Sequence, residues 1–308
     1  MGVKSKGRPA RAASMDDFLK SARLQLGTSD FDAEHPLYMR LMADAGIRPD
    51  SREGYWLSFL YMAYYDEASA WVTFNNSDPF TVPKIAAALP IGTNRRNLFG
   101  ERILAHLESL RAAEGSAAGW PLHNFTGCPR ADWELLKDNI CTVWGNGRFA
   151  RYTTAEMIQK VNLAPVEVTD FDNDGSSKPA DAIDRLFGCG RSVAALDAHG
   201  EIVYNRVRVL KARPAYTKLD RGVVESILCN YSGLCRGVFY SGRNLDRQQA
   251  RILKVEGLGH ALPALWEARG RVFKKEHLGE HNGWVGIDRD RLTHYRDTGE
   301  LLWVNEGR

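Results

Sequence analysis

The fold is decided by an aromatic-rich stretch from Gly54 to Phe74, which reads GYWLSFLYMAYYDEASAWVTF. Apolar and aromatic side chains occupy nearly every position, so no polar stripe is left to face water. A helix that is apolar on all sides is normally buried at the centre of a protein. The longest unbroken run, Tyr55–Tyr65, is about half of the roughly 20 residues that a membrane-spanning helix needs. We therefore predict one continuous, buried helix over residues 54–74.

Helical spacing of apolar residues continues on both sides of this stretch. The sequence predicts further helices over residues 15–26, 35–45, 94–113, 132–143, 152–161, 179–187, 219–230 and 244–254. Residues 193–196 and 201–204 are compatible with two short strands about a turn or with extended helices. Residues from Trp284 onward are compatible with a small hairpin. The predicted fold class is mainly α, with a small possible β-hairpin.

Composition indicates the organisation of the chain and excludes several classes. The first 14 of the 308 residues carry four cations and no acid, which predicts a disordered basic arm over residues 1–14. One helical domain is predicted over residues 15–255, with a possible lobe boundary at residues 114–119, and residues 256–308 are predicted to be an extension packed on the core. The five cysteines include no Cys-x-x-Cys pair, so neither a disulfide framework nor a zinc ribbon is expected. The absence of a signal-peptide core predicts a cytoplasmic protein.

The most informative local pattern is a glycine turn between two predicted helices. Gly145, Asn146 and Gly147 are followed by Arg148 and Arg151. Two glycines before a helix leave backbone N–H groups accessible, and the helix dipole favours an anion at that end. This is the layout of the helix-hairpin-helix element with which DNA glycosylases grip one phosphate. A plain turn between two packed helices explains the pattern equally well.

An acidic turn follows about twenty residues later, where Asp170 and Asp172 stand beside Asp174. Glycosylases of the helix-hairpin-helix type place a catalytic aspartate at a comparable distance after the hairpin. A calcium loop is a second interpretation, but its twelfth position would be Asp181 rather than the expected glutamate. A solvated acidic turn is the third.

A further cluster lies on the predicted helix 219–230. Glu225 and Cys229 are four residues apart and share one face. Glu225 is a candidate general base, and Cys229 is either a nucleophile or a packed side chain. The chain has no Gly-x-x-x-x-Gly-Lys-Ser/Thr loop, no zinc-deaminase motif, no His-Glu-x-x-His motif and no Rossmann fingerprint. A standard nucleotide kinase and the common zinc hydrolases are therefore disfavoured.

Three segments together resemble a known family. They are Tyr55-Trp-Leu-Ser-Phe-Leu-Tyr with Ala70-Trp-Val-Thr-Phe-Asn; Trp144-Gly-Asn-Gly-Arg-Phe; and Val224-Glu-Ser-Ile-Leu-Cys with Gly237 and Tyr240-Ser-Gly-Arg-Asn-Leu-Asp. In this order, across most of residues 30–250, they resemble the amino acid:DNA transferases of bacteriophages, also called α-glutamyl/putrescinyl-thymine pyrophosphorylases. The helical domain of phage 5-hydroxymethyluracil DNA kinases is a relative.

The resemblance implies a helical fold related to the DNA glycosylases. It also implies a reaction on double-stranded DNA that contains pyrophosphorylated 5-hydroxymethyluracil. An amino acid or a polyamine would displace pyrophosphate from the exocyclic methylene group and give a hypermodified thymine. The base must first be flipped out of the duplex. The setting would be the cytoplasm of a phage-infected bacterial host, with no membrane partner.

Candidate site residues follow from this chemistry. Glu225 or Asp172, with Asp170 nearby, can accept the proton of the attacking amine. Arg148, Arg151 or a magnesium ion can stabilise the leaving pyrophosphate, and no other cofactor is expected. The candidates for binding the base or the donor are Trp71, Asn75, Trp144, Cys229, Arg236 and Arg243. Arg236 or Arg243 would hold the carboxylate of an amino-acid donor, and the backbone of Gly145–Gly147 with Arg151 would grip DNA.

Two rival hypotheses remain beside the transferase. A glycosylase-like enzyme would release free base, which a transferase would not. A non-catalytic DNA-binding protein would use the same hairpin to hold the backbone with a strong salt dependence and would leave the base unchanged.

Overall fold

The computed structural model describes residues 13–255, 257 and 261–274, and over these ranges the chain is helical without a β-strand. Its α-helices are α1 (Met15–Thr28), α2 (Glu34–Asp44), α3 (Arg52–Tyr64), α4 (Glu67–Asn75), α5 (Arg102–Ser116), α6 (Pro129–Cys141), α7 (Arg148–Lys160), α8 (Ser177–Phe187), α9 (Val193–Arg208), α10 (Arg221–Cys235), α11 (Arg243–Lys254) and α12 (Leu262–Val272). The prediction of a mainly α fold is confirmed. The helix-hairpin-helix assignment stays a prediction.

The chain divides into two compact units, each with its own core. Of the described residues, unit A contains those up to Phe31 and Asp170–Arg243, and unit B contains Asp32–Thr169 and those from Asn244 onward. The predicted lobe boundary at residues 114–119 lies within unit B, where α5 continues to Ser116. The basic arm, up to residue 12, and most of the C-terminal extension lie outside the described residues, so these two predictions stand as made.

The core of unit B is built around α3, which packs against α4, α5 and α7. Trp56, Phe59 and Tyr64 are buried on different sides of α3, as an all-apolar helix requires. Burying each such side chain contributes roughly 1.5–3 kcal/mol relative to leaving it exposed. The aromatic stretch thus forms the centre of unit B, as its composition indicates.

The prediction of one helix over residues 54–74 is wrong in its continuity. The helix breaks at Tyr65, whose backbone is left-handed (φ 49°), and α4 begins anew after Asp66. Asp66 Oδ1 accepts a hydrogen bond from Ser69 N at 3.0 Å, which is the geometry of an N-terminal cap. Asp66 is the residue in the sequence that indicates a second helix, because aspartate is a common N-terminal cap. The apolar and aromatic residues on both sides of Asp66 nevertheless predicted one helix.

A second correction concerns residues 94–113. Residues Thr93–Leu98 form a 3-10 helix, and the α-helix begins only at Arg102, after Gly100 has turned the chain with φ +66°. A glycine adopts that conformation without the penalty that a Cβ atom brings. The apolar residues of this segment do have helical spacing, but Gly100 separates the 3-10 helix from α5, so the segment forms two elements.

Unit A is centred on α10, which packs against α1, α8 and α9. The possible strands at residues 193–196 and 201–204 are wrong, because both lie in the single helix α9, which Ser192 caps through Ala195 N. Gly200 stands inside this helix because the ring of Phe171 packs on it. A Cβ atom there would lie 2.8 Å from Phe171 Cδ2. The hairpin considered after Trp284 lies outside the described residues.

Among the described residues, no helix combines the length and the apolar character that crossing a bilayer would require.

Candidate functional site

The glycine turn joins α6 to α7 in unit B. Gly145 has φ +86°, and Gly147 is the N-terminal cap residue of α7 without a capping side chain. The first N–H groups of a helix have no intrahelical acceptor, and the positive end of the helix dipole lies at the same place. The predicted start of this helix at Tyr152 is corrected to Arg148, so the turn leads directly into the helix. The turn therefore has the backbone arrangement that suits an anion.

Two buried side chains from earlier in the chain hold the turn from beneath. Arg95 Nη1 donates to the Gly145 carbonyl at 3.2 Å, and Arg95 Nη2 donates to Asn146 Oδ1 at 3.0 Å. His106 Nδ1 lies 2.6 Å from the Trp144 carbonyl. Because a carbonyl can only accept, Nδ1 carries the proton, and Nε2 accepts from Arg95 Nη2 at 3.3 Å. The turn conformation is thus fixed by a connected set of hydrogen bonds.

The charge beneath the turn is uncompensated. Arg95 is 2% exposed, and no carboxylate among the described residues pairs with it. Burial lowers the pKa of Arg95 to about 10, which leaves the group cationic at neutral pH. Burial, and then Arg95, lower the pKa of His106 to about 3, so the imidazole is neutral. One positive charge without a counter-ion therefore lies directly under the backbone of the turn.

The side chains predicted to act at the turn differ in their exposure to solvent and in their ion pairs. Trp144 is 50% exposed, and Arg148 is exposed at the start of α7. Arg151 instead points back to α6, where it pairs with Glu134 at 3.4 Å and Asp138 at 3.3 Å. Trp144 and Arg148 are therefore the predicted side chains that can reach a ligand at the turn, whereas Arg151 ties the two helices together.

Trp71 and Asn75 do not stand in an open pocket. Trp71 is buried, donates from Nε1 to the Ala261 carbonyl at 2.8 Å, and stacks on Phe74 with an interplanar angle of 9°. Asn75 is exposed and donates to the Trp71 carbonyl one turn earlier at 2.8 Å. In this structure Trp71 serves packing.

The acidic turn lies in unit A, before α8. Asp172 N donates to Asp170 Oδ1 at 3.0 Å, and the Asp172 backbone is left-handed with φ +51°. The Asp172 carboxylate folds over Gly175, where a Cβ atom would lie 2.1 Å from Oδ1. Within the described ranges no three His, Cys, Asp or Glu side chains are placed to hold a metal ion. The hydrogen bond and the close approach to Gly175 make this segment a compact turn.

The remaining predicted residues are on α10 and the segment after it, also in unit A. Glu225 is buried and accepts a hydrogen bond from Ser226 Oγ at 3.4 Å, and Cys229 is half-buried on the same helix. Arg236 is exposed and donates from Nε to the Ser232 carbonyl at 3.2 Å. Arg243 lies 5.7 Å from the ring centre of Phe239. The predicted site residues thus fall into one group in unit B and one in unit A.

Sequence reasoning missed a cluster of ionisable groups inside unit B. Glu67 is 2% exposed and accepts from Arg251 Nη1 through both carboxylate oxygens, at 2.8 and 2.9 Å. Glu34 accepts from the Tyr61 hydroxyl at 2.8 Å. The Arg251 guanidinium lies 5.7 Å from the ring centre of Tyr65. We call these five residues the ionic cluster; they come from α2, α3, the α3–α4 break, α4 and α11.

Burial and like charges shift the protonation of this region. Burial, and then the Glu67 carboxylate, raise the pKa of Glu34. Burial raises the pKa of the neighbouring Asp66 to about 6. Burial is the largest influence on the pKa of Arg251 and lowers it, but Glu67, Tyr61 and Asp66 together outweigh burial and raise the pKa above its usual value. Such perturbed groups concentrate at functional sites, although structural ion pairs produce them too.

A second buried network lies at the other end of α7. Lys160 is fully buried, pairs with Glu156 one turn earlier, and lies 3.7 Å from Asp32 Oδ2. His35 Nδ1 lies 3.9 Å from the same oxygen. Burial, and then Lys160, lower the pKa of His35 well below its ordinary value, so His35 is neutral. The spacing of Glu156 and Lys160 was readable as a helical ion pair, but nothing local in the sequence showed its burial.

The first turn of α7 connects the glycine turn with the ionic cluster. The ring of Phe149 meets Tyr65 edge-on at 5.5 Å, and Tyr65 stacks on Tyr61 at 5.5 Å. Two residues after Gly147 the chain therefore contacts the aromatic side of the cluster.

Comparison with known families gives one result. Residues 102–236 match the family described as Amino acid:DNA transferase. The matched segment contains His106, the glycine turn and Glu225, whereas Glu67 and Arg251 lie outside it. No curated protein matches the chain.

Proposed function

We propose that the chain belongs to the amino acid:DNA transferase family, whose model matches residues 102–236. We further propose that it replaces pyrophosphate on pyrophosphorylated 5-hydroxymethyluracil with an amine donor. The family description names the reactants, an amino acid and DNA. The modified thymine, the pyrophosphate leaving group and the cytoplasm of a phage-infected bacterium are our proposal.

The proposed reaction is a displacement at the exocyclic methylene carbon of the base. The donor ammonium first gives up a proton, and its neutral nitrogen attacks the carbon. A carbon–nitrogen bond forms while the carbon–oxygen bond breaks, and pyrophosphate leaves with the electron pair. A carboxylate is proposed to accept the proton, and Glu225 and Asp172 stay candidates for this role. Arg148 is proposed to stabilise the leaving group.

The observation that carries the proposal is the uncompensated Arg95 charge beneath an uncapped helix start. A DNA phosphate is the anion that such a turn suits, because it can accept from the backbone N–H groups and balance the buried charge. Enzymes that modify a base in duplex DNA extrude it from the stack. The half-exposed ring of Trp144, beside the turn, is proposed to stack on the bases at the gap.

Mass spectrometry of digested nucleosides tests the proposed reaction. DNA bearing pyrophosphorylated 5-hydroxymethyluracil is incubated with the full chain and a mixture of amino acids and polyamines. We expect a nucleoside that carries an amine adduct, together with released pyrophosphate. Free modified base would instead indicate a glycosylase, and unchanged nucleosides despite tight DNA binding would indicate a binding protein. Unmodified DNA of the same sequence is the control substrate.

A methyl group at the turn should weaken DNA binding without unfolding the protein. A Cβ atom at Gly147 would meet no atom within 4 Å, and its φ of −96° suits any residue. In Gly147→Ala we expect the unfolding free energy to change by less than about 0.5 kcal/mol. We expect affinity for duplex DNA to fall about tenfold, because the methyl group obstructs a phosphate at the helix start.

Gly115→Ala is the matched control for this variant. A Cβ atom at Gly115 in α5 also meets no atom within 4 Å, and DNA affinity should not change there. Fluorescence anisotropy with a labelled duplex measures both variants at several salt concentrations. Equal affinities for Gly147→Ala and the unmodified protein would contradict the proposal that a DNA phosphate binds at the N-terminus of α7.

A further inference from the structure

Positive charge is concentrated in unit A at the end of α9 and in the chain that follows it. Between Glu201 and Asp220 the sequence has no acid and five cations, which are Arg206, Arg208, Lys211, Arg213 and Lys218. All five side chains are exposed. We call these five residues the basic segment. Its charge of +5 exceeds the net charge of +3 of the whole chain, so the charge is gathered here and not spread evenly.

Contacts with one tyrosine ring bring the two ends of the basic segment together. The guanidinium carbons of Arg208 and Arg221 lie 5.7 and 5.2 Å from the ring centre of Tyr204. The start of α10, which Lys218 shortly precedes, is thereby held against the last turns of α9. Arg213 folds back onto the same helix end, where its Nη2 donates to the Arg208 carbonyl at 2.9 Å. The five cations therefore form one local cluster.

The basic segment has no compensating carboxylate. None of its five members forms an ion pair with a residue that the structure describes. On the neighbouring helix α8 and just after it, Arg185 and Arg191 share Asp181 at 2.8 and 3.2 Å. Arg221, at the start of α10, pairs with Glu201 at 2.5 Å. Unit A thus neutralises the arginines around the basic segment and leaves the segment itself to solvent or to an anionic ligand.

Stabilisation of the helix end accounts for only part of this charge. Cations in the last turn of a helix interact favourably with its dipole, and Arg206 and Arg208 stand in the last turn of α9. Arg213 donates to carbonyl groups at the same end. The dipole effect falls off within one turn, and Lys211 and Lys218 follow the helix. These two lysines add repulsion to the cluster without such a compensating interaction.

We propose that the basic segment is a second DNA-contact surface, which binds phosphates of double-stranded DNA independently of the glycine turn. This inference rests on the proposed function, in which DNA is a substrate. It goes beyond that function because the glycine turn lies in unit B, so that each unit has a DNA contact of its own. Duplex DNA carries one negative charge per about 1.7 Å of its axis, and cations that neutralise its phosphates release condensed counter-ions. Such contacts position the duplex without reading its sequence.

The apolar side of α9 favours DNA over an anionic membrane as the ligand. A helix that lies on a membrane inserts its apolar face among the lipids, commonly through aromatic residues or leucine. On α9 the apolar face includes Leu196, Val203 and Val207, which are buried in the core of unit A. Ile202 and Val209 are exposed, but neither is an aromatic residue or a leucine. The basic segment therefore offers charge without an apolar anchor.

Fluorescence anisotropy with a labelled, unmodified duplex tests the surface without requiring turnover. The variant Arg206→Gln/Lys211→Gln/Lys218→Gln removes three exposed cations that form no hydrogen bond or ion pair with any described residue. We expect the slope of log affinity against log salt concentration to become shallower by roughly 2–3, because each phosphate contact contributes about 0.9. At about 0.1 M salt the affinity should fall at least about tenfold, and equally for duplexes of different sequence.

A matched variant separates a local contact from a change in net charge. Lys20→Gln/Arg23→Gln/Lys178→Gln removes three exposed cations elsewhere in unit A, so the net charge of the chain changes by the same amount. We expect its salt slope to change by less than about 1.

A charge-preserving variant separates recognition from folding. In Arg206→Lys/Lys211→Arg/Lys218→Arg every positive charge is kept, so the salt slope should equal that of the unmodified protein. Circular dichroism measures the melting temperature of all three variants. Because the glutamine substitutions in the basic segment relieve repulsion between neighbouring cations, that variant should melt no lower than the unmodified protein.

The failures of the two proposals are distinguishable. An unchanged salt slope in the basic-segment variant, or an equal change in the matched variant, overturns the DNA surface. Binding to vesicles of phosphatidylserine and phosphatidylcholine that is lost in the basic-segment variant, while its DNA affinity is unchanged, also overturns it and assigns the segment to a membrane. A salt slope that depends on the segment supports the surface even where digested DNA shows no adduct, a result that would overturn the proposed reaction alone.

Discussion

Glu67→Gln is expected to lower the unfolding free energy by about 3–5 kcal/mol, because it leaves a buried charge without its partner. Both Glu67 oxygens accept from Arg251 Nη1, and Glu67 is 2% exposed. A loss of this size is a large part of the roughly 5–15 kcal/mol that stabilises a typical domain. Urea unfolding followed by circular dichroism measures it as a shift in midpoint at constant slope.

Two comparisons show whether the buried charge is the cause. Glu267→Gln removes the carboxylate of an exposed pair with Arg271 in the same unit, and we expect it to cost less than about 1 kcal/mol. The double variant Glu67→Gln/Arg251→Met removes both charges and should regain most of the lost stability. A single-variant loss as small as that of Glu267→Gln would show that water reaches Arg251 and screens its charge.

Acid is expected to destabilise the protein through His106. Its folded-state pKa of about 3 lies below the ordinary value of 6.5, so the unfolded chain binds the proton first as the pH falls. The stability contributed by neutral His106 is complete above about pH 6.5 and declines toward pH 3. By pH 4 the loss from this group is roughly 3 kcal/mol. Protonation would also end the acceptor role of Nε2 toward Arg95.

A difference measurement isolates this contribution from other titrating groups. The pKa of Asp66 is raised to about 6, so its effect runs the opposite way, with stability rising as the pH falls from about 6 to 4. His106→Asn keeps a donor for the Trp144 carbonyl but cannot titrate. The stability advantage of the unmodified protein over His106→Asn should shrink between pH 7 and 4. An advantage that does not change with pH would exclude a neutral, buried His106.

Part of the candidate site was predictable because its signals are local. Gly145 and Gly147 are readable as a turn, since a positive φ and an open helix start depend on the residues at those positions. The support beneath the turn was not readable. Arg95 stands 50 residues before Gly145, and its selection over other arginines depends on how α5 and the preceding 3-10 helix pack. For Trp71 the sequence was misleading. An aromatic residue suggested base stacking, but in the structure Trp71 is buried in the core.

By itself the sequence determined the helical class, the position of the glycine turn and the buried character of residues 54–74. These properties follow from apolar periodicity and from glycine conformations, which act over a few residues. Only the tertiary structure decided which charges are neutralised. Glu67 and Arg251 are 184 residues apart and meet in the core. The physical reason is that the free energy of a charge depends on burial and on its nearest partners, and both are set by helix packing.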